Sequence, residues 1–181
     1  LTTSMLCSPL VTFTPLLVRD VFHGDAGRFS VAVASFGAGG LVGATGLLGT
    51  ASAVDRRWLS SGFAMAYGVV LVVAALAPAF WVIPPLLVLA GASMTISNTS
   101  ANTFLQSTAG VQHLGRTVSL YMLAVRGGSS IGALLTGAAV AALGVQRALL
   151  MNGLAAIAMQ AAIAHSWRLL RWAPVGPDPV V

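Results

Sequence analysis

The sequence predicts an all-α membrane protein with six transmembrane helices. Three observations carry that prediction. First, 57% of the residues are hydrophobic and only 7% are charged, against roughly 25% charged in a soluble domain. With a mean hydropathy of +0.90, so little polar material cannot cover a water-facing surface, and lipid as the solvent resolves the conflict. Second, the charges fall in short loops between uncharged runs of membrane-spanning length. Third, small residues recur every four positions inside those runs, the spacing that lets helix backbones approach closely in lipid.

Taken in order, Leu1 to Val18 carries no charge and reaches about 27 Å as a helix, just enough for the hydrocarbon core. Pro9 and Pro15 are expected to kink it, which membrane helices tolerate. The run starts at Leu1 with no basic segment before it, so it does not read as a secretory signal, and further chain upstream is expected. A polar turn follows, with Arg19, Asp20, His23, Gly24, Asp25 and Arg28. Phe29 to Val54 is the second span, rich in glycine, with Gly39 and Gly43 as a helix-packing pair. Asp55, Arg56 and Arg57 end it, and Trp58 has the character of an interfacial anchor.

The stretch from Trp58 to Gly115 has no formal charge and is long enough for two spans. Pro78, Trp81 and the pair Pro84–Pro85 mark the hairpin between span three, Leu59 to Ala77, and span four, Pro84 to about Leu105. Phe104, Thr108, Val111, Leu114 and Val118 recur at three- and four-residue spacing, which predicts a short amphipathic helix in the interface. Span five runs from about Val118 to Leu143, with Gly128, Gly132 and Thr136 lining one face. Gly144 to Arg147 turns the chain, and Ala148 to Trp167 is span six. The bundle thus covers residues 1–167, and 168–181 form a proline-rich tail.

Six spans put both termini on one side. Arg56, Arg57, Arg116, Arg168 and Arg171 share that side, whereas Arg19, Arg28 and Arg147 lie opposite. The excess places both termini in the cytoplasm by the positive-inside rule. Gly39-Gly40-Leu41-Val42-Gly43-Ala44 in span two is echoed by Gly127-Gly128-Ser129-Ser130-Ile131-Gly132-Ala133 in span five. Each is the second span of a triplet, and triplets of three must run in opposite directions. The echo therefore predicts a 3+3 inverted repeat, a common transporter design; chance in a glycine-rich chain is the competing reading.

Two features point to chemistry. Arg126 is the one formal charge within a span, and an ionisable residue at membrane depth is a functional candidate by default. The competing reading is snorkelling, in which the long side chain reaches back to the interface. Span four carries Ser93, Thr95, Ser97, Asn98, Thr99 and Asn102. These either line a substrate cavity or form hydrogen bonds between helices at about 0.6 kcal/mol each.

Other functions fail on spacing. A six-span serine protease would pair Ser93, after Gly91-Ala92, with His165. Ser93 lies about 13 Å below the outer end of its span and His165 about 25 Å below the outer end of its own, too far apart for a nucleophile and its base. No enzyme is expected. His23, His113 and His165 are dispersed without metal-ligand spacing, and no cofactor is expected. The nine basic residues, all Arg, are scattered, which excludes a nucleic-acid surface despite the high isoelectric point. Cys7 is the only cysteine, so no internal disulfide can form.

The order Asn102, Gln106, Gly115-Arg116, Ser119-Leu120-Tyr121-Met122, Arg126-Gly127-Gly128, Gly132-Ala133-Leu134 and Gly137 resembles the eleventh-helix region of major facilitator superfamily transporters. The closest branch by resemblance contains enterobactin exporters and drug-efflux permeases. The resemblance covers nearly the whole chain. It implies that the six spans match helices seven to twelve of a twelve-helix fold, that a further six-helix half exists, and that a central cavity lies between the halves. The implied function is export of a small molecule across the cell membrane by alternating access. A six-helix scaffold or fragment without transport of its own is the alternative. The family often carries a Gly-xxx-Asp-Arg loop after the second helix of each half. Here Asp55-Arg56 fits, but Ala51 stands where the glycine belongs and Trp58 where another is usual, so this loop reads first as a basic topology signal.

Overall fold

The computed structural model describes residues 9–22, 24–49, 56–108 and 114–170, with backbone alone at 9–11, 57, 108, 114 and 167–170. Among the described residues there are six helices. Helix α1 is Pro9–Leu16 and continues as a π-helical turn, Leu17–Val21; α2 is Ala26–Leu48; α3 is Arg56–Ala75; α4 is Ile83–Thr108; α5 is Leu114–Leu143; α6 is Val145–Leu170. Five of them, α2 to α6, are long and apolar enough to cross a membrane. Most of the first half of expected span one, and Asp55 with the loop before it, lie outside the described residues.

Local chemistry sets the boundaries. The Asp25 carboxylate accepts from the Arg28 amide at 3.0 Å and caps α2, so that helix starts three residues before the expected Phe29. The hairpin between α3 and α4 contains a 3-10 turn, Phe80–Val82. Pro84 sits in the first turn of α4, where its missing N–H costs nothing. The turn between α5 and α6 shortens to one residue, Gly144, at φ 83°. Its N–H donates to the Val140 carbonyl at 2.9 Å, while its own carbonyl accepts from Ala148 at 3.1 Å. One residue thus ends α5 and starts α6, which a left-handed glycine permits.

Only the two ends of the expected interfacial helix between spans four and five fall within the described residues. Phe104 and Thr108 belong to α4, while Leu114 and Val118 belong to α5; residues 109–113 lie outside the described residues. Helix α4 runs on because its polar end satisfies itself. Gln106 donates to the Asn102 side chain at 3.1 Å, and Ser107 donates to the Phe104 carbonyl at 2.9 Å. Likewise α6 runs to Leu170, three residues past the expected end.

Helix α4 is the centre of the bundle. It packs on α2, α3 and α5; α3 packs on α6, α5 on α6, and α1 touches α2, α5 and α6. One core joins Leu17 and Val18 of α1, Tyr67 and Leu71 of α3, Ile83 and Leu87 of α4, and Leu149 of α6. The outward surface is apolar, with Leu41, Leu48, Leu123, Leu134 and Leu154 more than half exposed. Water would penalise that surface at roughly 25 cal/mol per Å², whereas lipid does not.

Close backbone contacts replace the hydrophobic force at the seams. Gly39 and Gly43 of α2 lie against the Val88 and Ala92 backbone of α4, and Gly91 of α4 lies against the Phe36 backbone of α2. Gly68 of α3 and Gly153 of α6 meet in the same manner; a Cβ at Gly153 would stand 3.0 Å from the Gly68 carbonyl oxygen. Polar clasps reinforce the seams. Ser60 and Ser97 each donate to the other's backbone carbonyl, at 3.0 and 2.9 Å, across α3 and α4. Ser61 donates to buried Gln160 at 3.2 Å, and Asn152 donates to Thr136 at 2.7 Å.

The loops between α1 and α2 and between α3 and α4 meet at one end. Phe22 and Phe80 stack edge-on at 6.1 Å, and the Arg28 guanidinium lies 5.4 Å from the Phe80 ring centre. At the same end, Asp20 and Arg147 line an open depression of about 500 Å³ between α1 and the α5–α6 turn. Arg19, Arg28 and Arg147 are therefore gathered on one side.

Candidate functional site: a polar face and a mid-helix arginine

The polar residues of α4 separate into two sides. Ser93, Ser97 and Ser100, spaced by four and three, turn toward α3 and are buried. Ser97 is 2% exposed with its hydroxyl committed to Ser60. It closes a helix seam, so it does not offer hydrogen bonds to a cavity. The reason is register: Ser97 lies on the side of α4 opposite Thr95.

Thr95, Asn98 and Asn102, spaced by three and four, share the other side and are half-buried. The Thr95 hydroxyl lies near the α2 seam, 3.3 Å from where a Cβ of Gly40 would sit. The Asn98 backbone carbonyl accepts from the Tyr121 hydroxyl of α5 at 3.4 Å. This polar side therefore opens between α2 and α5. The side-chain amide of Asn98 forms no hydrogen bond among the described residues, and Asn102 is engaged only by Gln106. An unpaired amide facing hydrocarbon costs several kcal/mol, whereas one facing a polar cavity does not.

Arg126 stands apart from that cluster. It lies twelve residues into α5, about 18 Å along the helix from Leu114. Gly128, Gly132 and Thr136 form the buried face of α5, and Arg126 lies on the exposed side. Its carbonyl accepts from Ser129 at 2.9 Å and Ser130 at 3.1 Å. Its guanidinium has no ion-pair or hydrogen-bond partner among the described residues, where the salt bridge found joins Arg19 and Asp20. Within this chain, then, Arg126 does not point into the six-helix bundle.

Ser93 and His165 are not brought together. Ser93 is buried in α4, whereas His165 is exposed near the end of α6, and no hydrogen bond links them. No group of metal-ligating residues occurs among the described residues. Arg56 begins α3, half-buried, and its neighbour Asp55 lies outside the described residues. Sequence reasoning missed the Gly68–Gly153 crossing and the Ser60–Ser97 clasp. A lone small residue has no periodic signal; only its partner on another helix reveals it.

A multi-pass α-helical bundle packed through glycine seams, with a polar helix face and a mid-helix arginine that is unpaired among the described residues, defines the class of polytopic membrane proteins. Residues 3–177 match the transmembrane secretion effector family of the major facilitator superfamily, and the chain belongs to that family. No match was found among curated proteins or solved structures. Membership implies transport of a small molecule across a bilayer; these families are generally not enzymes.

Proposed function

We propose that the chain supplies helices seven to twelve of a twelve-helix exporter, in the branch of enterobactin exporters and drug-efflux permeases, and works by alternating access against a second six-helix half. The observation that carries this reading is the Thr95–Asn98–Asn102 side of α4, half-buried with an unpaired amide. Such a side needs a polar cavity, and a cavity between two halves provides it. One shared spacing and one contact support a 3+3 repeat. Gly39 and Gly43 of α2 and Gly128 and Gly132 of α5 are buried at identical spacing, and α3 crosses α6 at Gly68 and Gly153. A pseudo-twofold axis exchanging the triplets would carry α2 onto α5 and α3 onto α6.

The test is flux. The chain reconstituted alone is expected to move no substrate above empty vesicles, and the twelve-helix protein to move it by a saturable process. Saturable flux through the chain alone would overturn the half-transporter reading.

Orientation follows from the arginines. We place both termini in the cytoplasm of a cell with this protein in its plasma or inner membrane, because Arg19, Arg28 and Arg147 form the poorer side. With Cys7 replaced by Ser, a cysteine introduced at Asp25 is expected to react with an impermeant thiol reagent on intact cells, and one at Asp55 is not. The reverse pattern would invert the topology.

A further inference from the structure

The exposed side of α5 is not uniform. Leu120, Leu123, Ile131, Leu134 and Leu135 form a strongly exposed apolar flank, suited to lipid. Beside it runs a stripe of Gly115, Ser119, Arg126, Ser130, Ala133 and Gly137, spaced by four, seven, four, three and four. That spacing holds one helix side. Met122, one turn before Arg126, stands on the same side and is exposed; beyond Arg126 every member is small, so the guanidinium borders a shallow wall of Ser130, Ala133 and Gly137. The stripe borders α1 near the outer end, where the Phe13 ring comes within 3.6 Å of a Cβ placed on Gly137.

The charge balance around this wall is one-sided. The chain has no Glu, and its four Asp residues, Asp20, Asp25, Asp55 and Asp178, all fall outside the uncharged runs. Arg126 is thus a cation near the middle of a membrane helix without a protein anion on its own bundle. The serine hydroxyls beside it bond its backbone carbonyl, which leaves the guanidinium donors free. A planar guanidinium binds carboxylate and phosphate oxygens in paired, parallel hydrogen bonds.

Building on the exporter reading, we propose that the Arg126 stripe is an oxyanion-recognition wall, and that the transported molecule carries a carboxylate- or phosphate-type group which pairs with Arg126. Ser130 and Ala133, one to two turns above, leave room for the body of that molecule. A field from a single fixed cation, concentrated by low-dielectric walls, raises the local concentration of anions by about tenfold or more.

The test needs no known substrate. In the full-length protein in vesicles, with Cys7→Ser and Ser130→Cys, the introduced thiol is treated with anionic sulfonatoethyl and cationic trimethylammonioethyl methanethiosulfonates. The rate ratio, normalised to a free thiol, is expected to favour the anion by about tenfold. Arg126→Gln is expected to return it to the free-thiol value. Millimolar benzoate or inorganic phosphate should slow the anionic reagent only when Arg126 is present. A ratio unchanged by Arg126→Gln, a cation preference, or no reaction with either reagent would overturn the proposal. The last outcome means that lipid or a neighbouring protein helix seals the wall. Loss of the preference in vesicles containing phosphatidylglycerol, but not in pure phosphatidylcholine, would assign the guanidinium to a lipid headgroup and overturn it as well. Absent flux with the anion preference intact would sink the exporter reading alone; normal flux without the preference would sink this inference alone.

Discussion

Gly39→Ala and Gly91→Ala are each expected to disrupt the fold, despite adding only one methyl group. At Gly39 the new Cβ would collide with the Val88 carbonyl, and at Gly91 with the Phe36 carbonyl. Both obstacles are backbone, so no rotamer change relieves them, and α2 must move away from α4. Helix α2 has few other supports, since it packs chiefly on α4 with lesser contact to α1. Overpacking costs about 1–3 kcal/mol, and a backbone obstacle puts these sites at the upper end, beyond the roughly 1 kcal/mol that alanine gains over glycine in helix propensity. Gly37→Ala and Gly46→Ala are the controls. A Cβ at either site meets nothing within 4 Å, so both should be neutral or slightly stabilising. Unfolding with dodecyl sulfate in mixed micelles measures the difference. Equal midpoints for all four variants would show that α2 and α4 do not touch through these glycines.

Arg126→Gln is expected to cut transport by the complete protein by at least about tenfold, with normal insertion. Hydrogen bonds to a charged group contribute about 1.5–3 kcal/mol, and 1.4 kcal/mol is a factor of ten. Arg126→Lys is expected to restore little, because an ammonium cannot reproduce the paired donors of a guanidinium. Initial rates of uptake into inverted vesicles, corrected for the amount of inserted protein, give the answer. If both variants transport like the parent, Arg126 only anchors α5 by snorkelling. Its position motivates the stronger reading: Arg126 lies ten residues, about 15 Å, beyond Arg116 along α5, with no other charge between them.

Much of the architecture was legible from composition and charge spacing. The position of five spans follows from where the arginines and prolines fall, since a charge or a helix-breaking pair cannot sit cheaply in hydrocarbon. Span ends were less legible. Asp25 starts α2 early by capping it, and Gln106 and Ser107 extend α4 by bonding within their own helix. Both effects belong to individual side-chain geometry, which hydropathy does not record.

Sequence by itself determined that this chain is a multi-pass helical membrane protein, because lipid imposes length and apolarity on every span separately. It also marked Arg126 and the polar run of α4, because charge and amide are costly at membrane depth whatever surrounds them. Only the tertiary structure decided which polar residues close seams and which remain open. Ser97 and Asn98 are neighbours in sequence and both polar, yet Ser97 is clasped to Ser60 while the Asn98 amide is unpaired among the described residues. A helix turns about 100° per residue, so adjacent residues face different neighbours, and their roles depend on helices distant in sequence. The same holds for Gly68 and Gly153, whose close approach exists only because α3 crosses α6 there.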